Sequence, residues 1–289
     1  MHKSGSLFGS FLVAFIVFLA GCCGHLEREK TFPVDPVFTR HLLNATIAIP
    51  AFDKKNEYVG LKCSGAFISE RHIITARHCL LNVAQYAAMR SLFGVSGEDD
   101  TTADILIKDL AIEEIKTIKT VKFVTRKQFF SDKSENPVFP TAKLVYMSAD
   151  NIASSGMGDS FEKEDVAILE VIDPKNYSKD WLYLSPFDPQ VGEEIMALGM
   201  PSGHPWLVTR GNVAGVYKTK CSDNKFHPVV VVGNITVIPG NSGGPIVNSR
   251  GDIVGLVSSV HMAGALGQMV DFANFVPNYY LNLYFNSIK

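Results

Sequence analysis

The sequence predicts an all-β fold, a barrel or a sandwich, laid out in two similar halves. Short β-branched and apolar runs alternate with turn residues at 46–49, 64–68, 72–75, 117–125, 143–147 and 166–172. The same texture returns at 195–199, 208–216, 229–233, 245–248 and 253–260. Many short strands between turn signals are the pattern of barrels and sandwiches. Between the halves, residues 173–190 are rich in Pro, Asp and Ser, which suits a linker.

The flanks of this pattern read differently. His2 and Lys3 precede an apolar run, residues 7–21, that carries no charge. That is the layout of a secretory signal peptide, and the run is shorter than the roughly 20 residues of a comfortable membrane span. Leu19-Ala20-Gly21-Cys22 resembles the bacterial lipobox, which implies lipidation of Cys22 and a lipoprotein held at a membrane by its acyl chains. Residue 23 is Cys, not the Asp that resembles an inner-membrane retention signal, so the outer membrane of the cell envelope is favoured. A plain cleaved signal peptide on a secreted protein, or an uncleaved anchor, is the alternative. The expected organisation is therefore a signal peptide at 1–21, a tether at 22–43, a first half at 44–172, a linker at 173–190 and a second half at 191–289. Residues 25–43 are mixed polar with Pro33 and Pro36 and read as tether plus first strand.

Residues 80–93 suit a short helix and 94–103 an acidic loop, so about 80–158 reads as an insertion into the first half. Residues 276–288, with Tyr279, Tyr280, Tyr284 and Phe285 at near-helical spacing, suit a packed terminal helix. With 46% hydrophobic and 19% charged residues in 289, an ordinary core is possible, which excludes disordered, collagenous and coiled-coil classes. A net charge of -2 supplies no clustered positive field, so no nucleic-acid partner is expected.

Three short segments carry the chemistry. Ile73-Ile74-Thr75-Ala76-Arg77-His78-Cys79 is an apolar strand leading into a turn that presents an imidazole, a group suited to proton transfer near neutral pH. Asp165 opens the apolar strand Val166-Ala167-Ile168-Leu169, where an acid is ordinarily a turn or cap residue. Pro239-Gly240-Asn241-Ser242-Gly243-Gly244-Pro245 is the most specific. Its glycines permit a tight turn, let a substrate carbonyl approach, and leave the amides of Gly240 and Ser242 able to converge on an oxyanion.

Together these segments resemble the chymotrypsin-fold, trypsin-like serine proteases. Thr75-Ala76-Arg77-His78-Cys79 is similar to the family's TAxHC, Asp165 to Leu169 to its DIALL, and Gly240 to Pro245 to its GxSGGP, in the family's own order His, Asp, Ser. The resemblance spans about residues 44–277. It implies two six-stranded antiparallel β-barrels with the active site between them and a short C-terminal helix. It also implies a serine endopeptidase acting through an acyl-enzyme, with Ser242 as nucleophile, His78 as general base and acid, and Asp165 orienting the His. By the same likeness Cys63 and Cys79 form the disulfide flanking the His, and Ser258 supports the Asp. Cys221 is left over as a thiol, with a bridge to Cys23 as the alternative.

Departures from the family's animal digestive branch narrow the reading. Asn241, not Asp, precedes Ser242, so activation by an ion pair with a newly cleaved N-terminus is not expected. The turn looks instead like the bacterial V8-like and HtrA-like branch, and the segment after Ser242 is expected to finish the barrel and a helix without a PDZ domain. Thr236 stands where trypsin-like enzymes place an Asp, which disfavours a pocket for Arg or Lys. With Ser258 and Ser259 lining the substrate channel and Val260 at a position often Gly, the pocket is expected to take small or medium uncharged side chains. His261 is expected as an exposed loop residue, with a Glu-specific pocket as the alternative.

No metal or cofactor is expected: CxxC and HExxH are absent, and the glycines around Ser242 lack the Lys of a phosphate loop. The expected partners are a protein or peptide substrate and the membrane, and oligomeric state is unassigned. Two other readings use the same residues, a protease-like surface binding module whose groove the insertion blocks, and an esterase.

Overall fold

In a computed structural model of the chain, the residues described are 36–53, 55–80, 117–132, 137–148, 165–220, 226–263 and 268–289. The first half is one antiparallel sheet of β1 (Thr46–Phe52), β2 (Tyr58–Phe67), β3 (His72–Thr75), β4 (Thr120–Lys122), β5 (Val124–Thr125), β6 (Thr141–Met147) and β7 (Ala167–Val171), in the order β4-β6-β7-β3-β2-β1-β5. The two edge strands are consecutive in the chain and are joined by Phe123 alone. Phe123 is fully buried and its amide donates to Pro140 O at 3.0 Å, so the sheet curls back on itself about this residue. Counting β4 and β5 as one bent strand gives the expected six. Strands β4, β5 and β6, which lie within the stretch read from sequence as an insertion, thus belong to the sheet. The reason is β6, which pairs with the central strand β7 from Ala142↔Val171 to Met147↔Ala167. The helix expected at 80–93 lies, beyond Leu80, outside the described residues.

The second half is a closed antiparallel barrel of β8 (Glu194–Gly199), β9 (Leu207–Lys220), β10 (Phe226–Asn234), β11 (Pro245–Val247), β12 (Ile253–Ala263) and β13 (Gln268–Pro277), in the order β10-β13-β12-β11-β8-β9. Closure removes free edges. Strand β13 is absent from the sequence-based pattern; it is held from both sides by β10 and β12. Each half buries its own apolar set, Ile47, Phe67, Ile73, Phe123 and Leu169 in the first and Ile195, Val213, Ile246, Val257 and Phe275 in the second. A third cluster, Ala48, Val124, Met200 and Trp206, joins them, and Trp206 Nε1 donates to Thr46 O at 3.0 Å.

Three helices complete the described chain: α1 (Pro36–Ala45), α2 (Arg126–Ser131), which starts in a capping box at Thr125, and α3 (Asn278–Asn286). Residues 36–43 are helical, not tether or strand. Phe38, Leu42 and Ala45 fall at i, i+4 and i+7 on one face, where Phe38 and Leu42 close over Gly251. On another face His41 and Asn44 bond the Asp180 carboxylate at 3.0 and 3.2 Å. The expected terminal helix is present as α3, with Leu281 buried and Tyr284 stacked on Tyr146 at 4.8 Å between centroids. The stretch between the halves touches both: Leu182 N donates to Phe67 O at 2.9 Å and Ser185 N to Ile253 O at 2.8 Å.

Candidate active site

Strand β3 buries Ile73 and Ile74 and ends at Thr75; Ala76 is extended, and Arg77–Cys79 form a single 3-10 turn. This geometry lifts His78 out of the sheet, its side chain 19% exposed. The turn is fastened to β2 by the Cys63–Cys79 disulfide, and the buried Arg77 guanidinium donates to Ser148 O at 3.4 Å.

Asp165 lies immediately before β7 with its side chain fully buried. A buried carboxylate is tolerated only when donors surround it, and three do. His78 Nδ1 lies 2.7 Å from Oδ2, the His78 amide donates to Oδ1 at 2.9 Å, and Ser258 Oγ donates to Oδ2 at 2.6 Å. Because a carboxylate accepts only, the proton of His78 sits on Nδ1, leaving Nε2 an acceptor in the neutral ring. Burial alone would raise Asp165 and lower His78. The charge of each on the other, with these hydrogen bonds, reverses both, so Asp165 is held below the ordinary carboxylate range and His78 above the ordinary imidazole range. Ser258 reaches Asp165 from a bulge in β12, where the register with β13 shifts between Val257 and Ser259.

The turn around Ser242 requires its glycines. Gly240 has φ +104°, and a Cβ there would lie 2.1 Å from Met200 O; Gly243 has φ +77°, and its Cβ would lie 2.3 Å from Thr75 Oγ1. The amides of Asn241, Gly243 and Gly244 donate to Ile238 O, Val257 O and Asn241 O at 3.0, 2.8 and 2.8 Å. Those of Gly240 and Ser242 donate to no group among the described residues. Cys79 Sγ lies 3.4 Å from Ser242 O and 3.9 Å from His78 Nε2, so the serine and the Nε2 edge of the imidazole border the same sulfur.

The structure thus brings together His78, Asp165, Ser258, Gly240 and Ser242, and pairs Cys63 with Cys79. Cys63, His78 and Cys79 also have potential ligand atoms within 4.8 Å of one another, but the paired sulfurs offer no thiolate to a metal. Thr236 is exposed in the segment between β10 and Gly240, its carbonyl accepting from Thr209 Oγ1 at 2.8 Å. Ser259, Val260 and His261 have their backbone in β12, and their side chains lie outside the described residues, as do Cys22, Cys23 and Cys221 entirely. Sequence reading missed Ser64. It is fully buried, its amide donates to Ser242 O at 2.8 Å, and its hydroxyl donates to Gly240 O at 2.7 Å. The only local signal is a polar residue inside an otherwise apolar strand end, Ser64-Gly65-Ala66-Phe67.

Comparison with known proteins shows the family and the fold. The chain is 28% identical over 114 residues to "Protease Do-like 1, chloroplastic" of Arabidopsis thaliana, covering 39% of this chain and 26% of that one. It is 37% identical over 98 residues to a "Probable periplasmic serine endoprotease DegP-like" of Pseudomonas putida (strain ATCC 700007 / DSM 6899 / JCM 31910 / BCRC 17059 / LMG 24140 / F1), covering 34% and 20%. The chain therefore spans about a quarter of the length of the curated relatives it matches. Among solved structures, the Rv3671c protease from M. tuberculosis in its active form superposes with a TM-score of 0.53 at 15% identity, covering 87% of this chain and 83% of that one. The serine endoprotease from Yersinia pestis gives 0.51 at 15%, covering 87% and 65%. At such identity these likenesses speak for the fold, chymotrypsin-like, seen here as a closed β-barrel and a second antiparallel sheet. The profile described as "Trypsin-like peptidase domain" matches residues 63–256, from the paired cysteine of β2 through the serine turn into β12, and by that match the chain belongs to the trypsin-like peptidase family.

Proposed function

We propose that the protein is a serine endopeptidase that cleaves protein or peptide substrates through an acyl-enzyme, with His78, Asp165 and Ser242 as its triad. The observation that carries this reading is the buried Asp165 carboxylate, which holds His78 Nδ1 at 2.7 Å beside a glycine turn whose Gly240 and Ser242 amides are uncommitted. In the first step Ser242 Oγ attacks the substrate carbonyl carbon while its proton passes to His78 Nε2. The carbonyl oxygen becomes an oxyanion that accepts from the Gly240 and Ser242 N–H groups. Asp165 stays ionised and stabilises the imidazolium. Collapse breaks the C–N bond, with His78 returning its proton to the leaving amine, and a water activated by the same imidazole then hydrolyses the ester and restores Ser242.

The finer assignments belong to the same proposal. Thr236, Ser258, Ser259 and Val260 line the cleft on the acyl side of the cut, with preference for small or medium uncharged side chains. Relatives named as periplasmic support export, and the Cys22 motif supports a lipid anchor at the cell envelope. The test is labelling of the protein from residue 24 onward with a fluorophosphonate, with mass mapping of the adduct. A stoichiometric adduct on Ser242, absent from Ser242→Ala, is the expected result. Peptide hydrolysis at an unchanged rate by purified Ser242→Ala would overturn the assignment.

A further inference from the structure

The turn that presents Ser242 lacks the carboxylate that would anchor it to a newly cleaved N-terminus, because residue 241 is Asn. Its peptides are held by other groups. Pro239 O accepts from the Ser202 amide at 2.7 Å, and Gly240 O accepts from the Ser64 hydroxyl at 2.7 Å. A trans peptide is planar, with its C=O and N–H directed oppositely. Fixing Pro239 O therefore aims the Gly240 N–H away from Ser202, and fixing Gly240 O aims the Asn241 N–H away from Ser64, onto Ile238 O at 3.0 Å. Both peptide planes that flank Gly240 are set this way.

Ser64 links the two ties. Ser64 Oγ also accepts from the Met200 amide at 3.0 Å, so a single hydroxyl on β2 joins the 200–203 turn to the serine turn. Its backbone adds a third tie, the Ser64 amide to Ser242 O at 2.8 Å. Ser64 is fully buried, so water has no path to replace these bonds. On the other side of the clamp, Ser202 sits at φ +49°, ψ +33°, a left-handed conformation uncommon for a residue with a side chain. Strain of this kind persists where surrounding contacts over-determine it, and here it delivers the amide that holds Pro239.

We propose that Ser64 is a positioning residue for the oxyanion hole: the Ser202 amide aims the Gly240 N–H, while the Ser64 hydroxyl holds the next peptide of the turn and the Ser64 amide holds the carbonyl of Ser242, so that the turn carrying both N–H groups is preset without proteolytic activation. The inference rests on the triad reading and adds to it how the turn is kept competent in place of a terminal ion pair.

Kinetics of Ser64→Ala test it. Removing an oxyanion donor outright costs about 10²- to 10³-fold in kcat; misaligning the turn is expected to cost about 10- to 100-fold, with KM within about threefold. Affinity for a peptide boronate, whose tetrahedral adduct places an oxygen in the hole, is expected to fall in parallel. Ser185→Ala removes the hydroxyl bond of another buried serine, to Phe187 O at 2.9 Å, away from the serine turn, and is expected to lower stability while leaving kcat unchanged. A Ser64→Ala kcat within threefold of the wild type, or a lower kcat with unchanged boronate affinity, would overturn the proposal. Should Ser64→Ala not fold, the near-isosteric pair Ser64→Thr and Ser64→Val differs in the hydroxyl: activity in the first and loss in the second is expected, and equal kcat in both overturns it. Wild-type protein that forms no fluorophosphonate adduct on Ser242 overturns both this inference and the peptidase reading. A labelled wild type matched in rate by Ser64→Ala overturns this inference alone.

Discussion

Replacing Asp165 by Asn removes a charge from the site without changing its shape, and the structure fixes how the amide would sit. The backbone N–H of His78 donates to Oδ1 at 2.9 Å, and that buried donor still needs an acceptor. The amide oxygen of the variant must therefore stay there, which turns its NH₂ toward His78 Nδ1, now 2.7 Å from Oδ2. The Ser258 hydroxyl, which donates to the same oxygen at 2.6 Å, can rotate to accept instead, so nothing opposes this orientation. An NH₂ facing Nδ1 forces the imidazole proton onto Nε2, the nitrogen that must receive the proton of Ser242. The wrong tautomer is expected to cost about 10⁴ in kcat, equivalent to about 5 kcal/mol of transition-state stabilisation. The pH profile supplies an independent check. In the wild type burial pushes His78 down, but the charge of Asp165 wins and holds it above its ordinary value, so the rise of kcat/KM with pH is displaced to alkaline. Without that charge burial dominates, and the rise should move to lower pH. Steady-state peptide hydrolysis from pH 5 to 10 measures both. A kcat within tenfold of the wild type, or a rise at the same pH, would refute the reasoning.

Other expectations are as direct. Because the folded pKa of His78 is raised, its pairing with Asp165 stabilises fully below the unfolded value of about 6.5 and is lost as pH rises through the folded one. The Tm advantage of the wild type over His78→Gln should therefore shrink from pH 6 to pH 9; a constant difference contradicts it. Breaking the Cys63–Cys79 link, which closes a sequence separation of 16, should cost about 3 kcal/mol in denaturant unfolding, read as the difference with and without reductant. Gly243→Ala sets a Cβ 2.3 Å from Thr75 Oγ1 at φ +77° and should abolish labelling and soluble expression; an active variant would show that the turn relaxes. Trp206→Ala empties the cluster between the halves and removes the side-chain bond to Thr46 O, for an expected loss of about 3–5 kcal/mol by urea titration.

The candidate site was legible in the sequence because the residues that the structure brings together there lie in short, contiguous segments. A strand ending in Thr75-Ala76-Arg77-His78-Cys79, an acid opening a buried strand, and a serine between glycines each specify their own local backbone. Elements whose partners are distant were not. Helix α1 has three apolar residues at helical spacing, too few to stand out, and what stabilises it is Gly251 and Asp180, each more than a hundred residues away. Strand β13 contains Asp271 and Asn274, residues that disfavour strands, and exists because β10 and β12 flank it. Residues 117–125 read as one strand, whereas the chain turns at Phe123 to pair with opposite edges of one sheet.

Ser64 shows the same limit within the site. It stands 176 positions from Gly240, and nothing in Cys63-Ser64-Gly65 reveals that its hydroxyl meets that carbonyl. The candidate site is itself divided between the halves: His78 and Asp165 come from the first, Ser242, Gly240 and Ser258 from the second. Their alignment depends on bonds that cross the boundary, Ser258 to Asp165, Ser64 to both Gly240 and Ser242, and Trp206 to Thr46. A shift of one half by 1 Å would disturb all of these together, and an error of that size in a catalytic contact is enough to cost about two orders of magnitude in rate. In the proposed mechanism the buried hydroxyls at the boundary, which a motif search passes over as filler, therefore act through geometry, as His78, Asp165 and Ser242 act through chemistry.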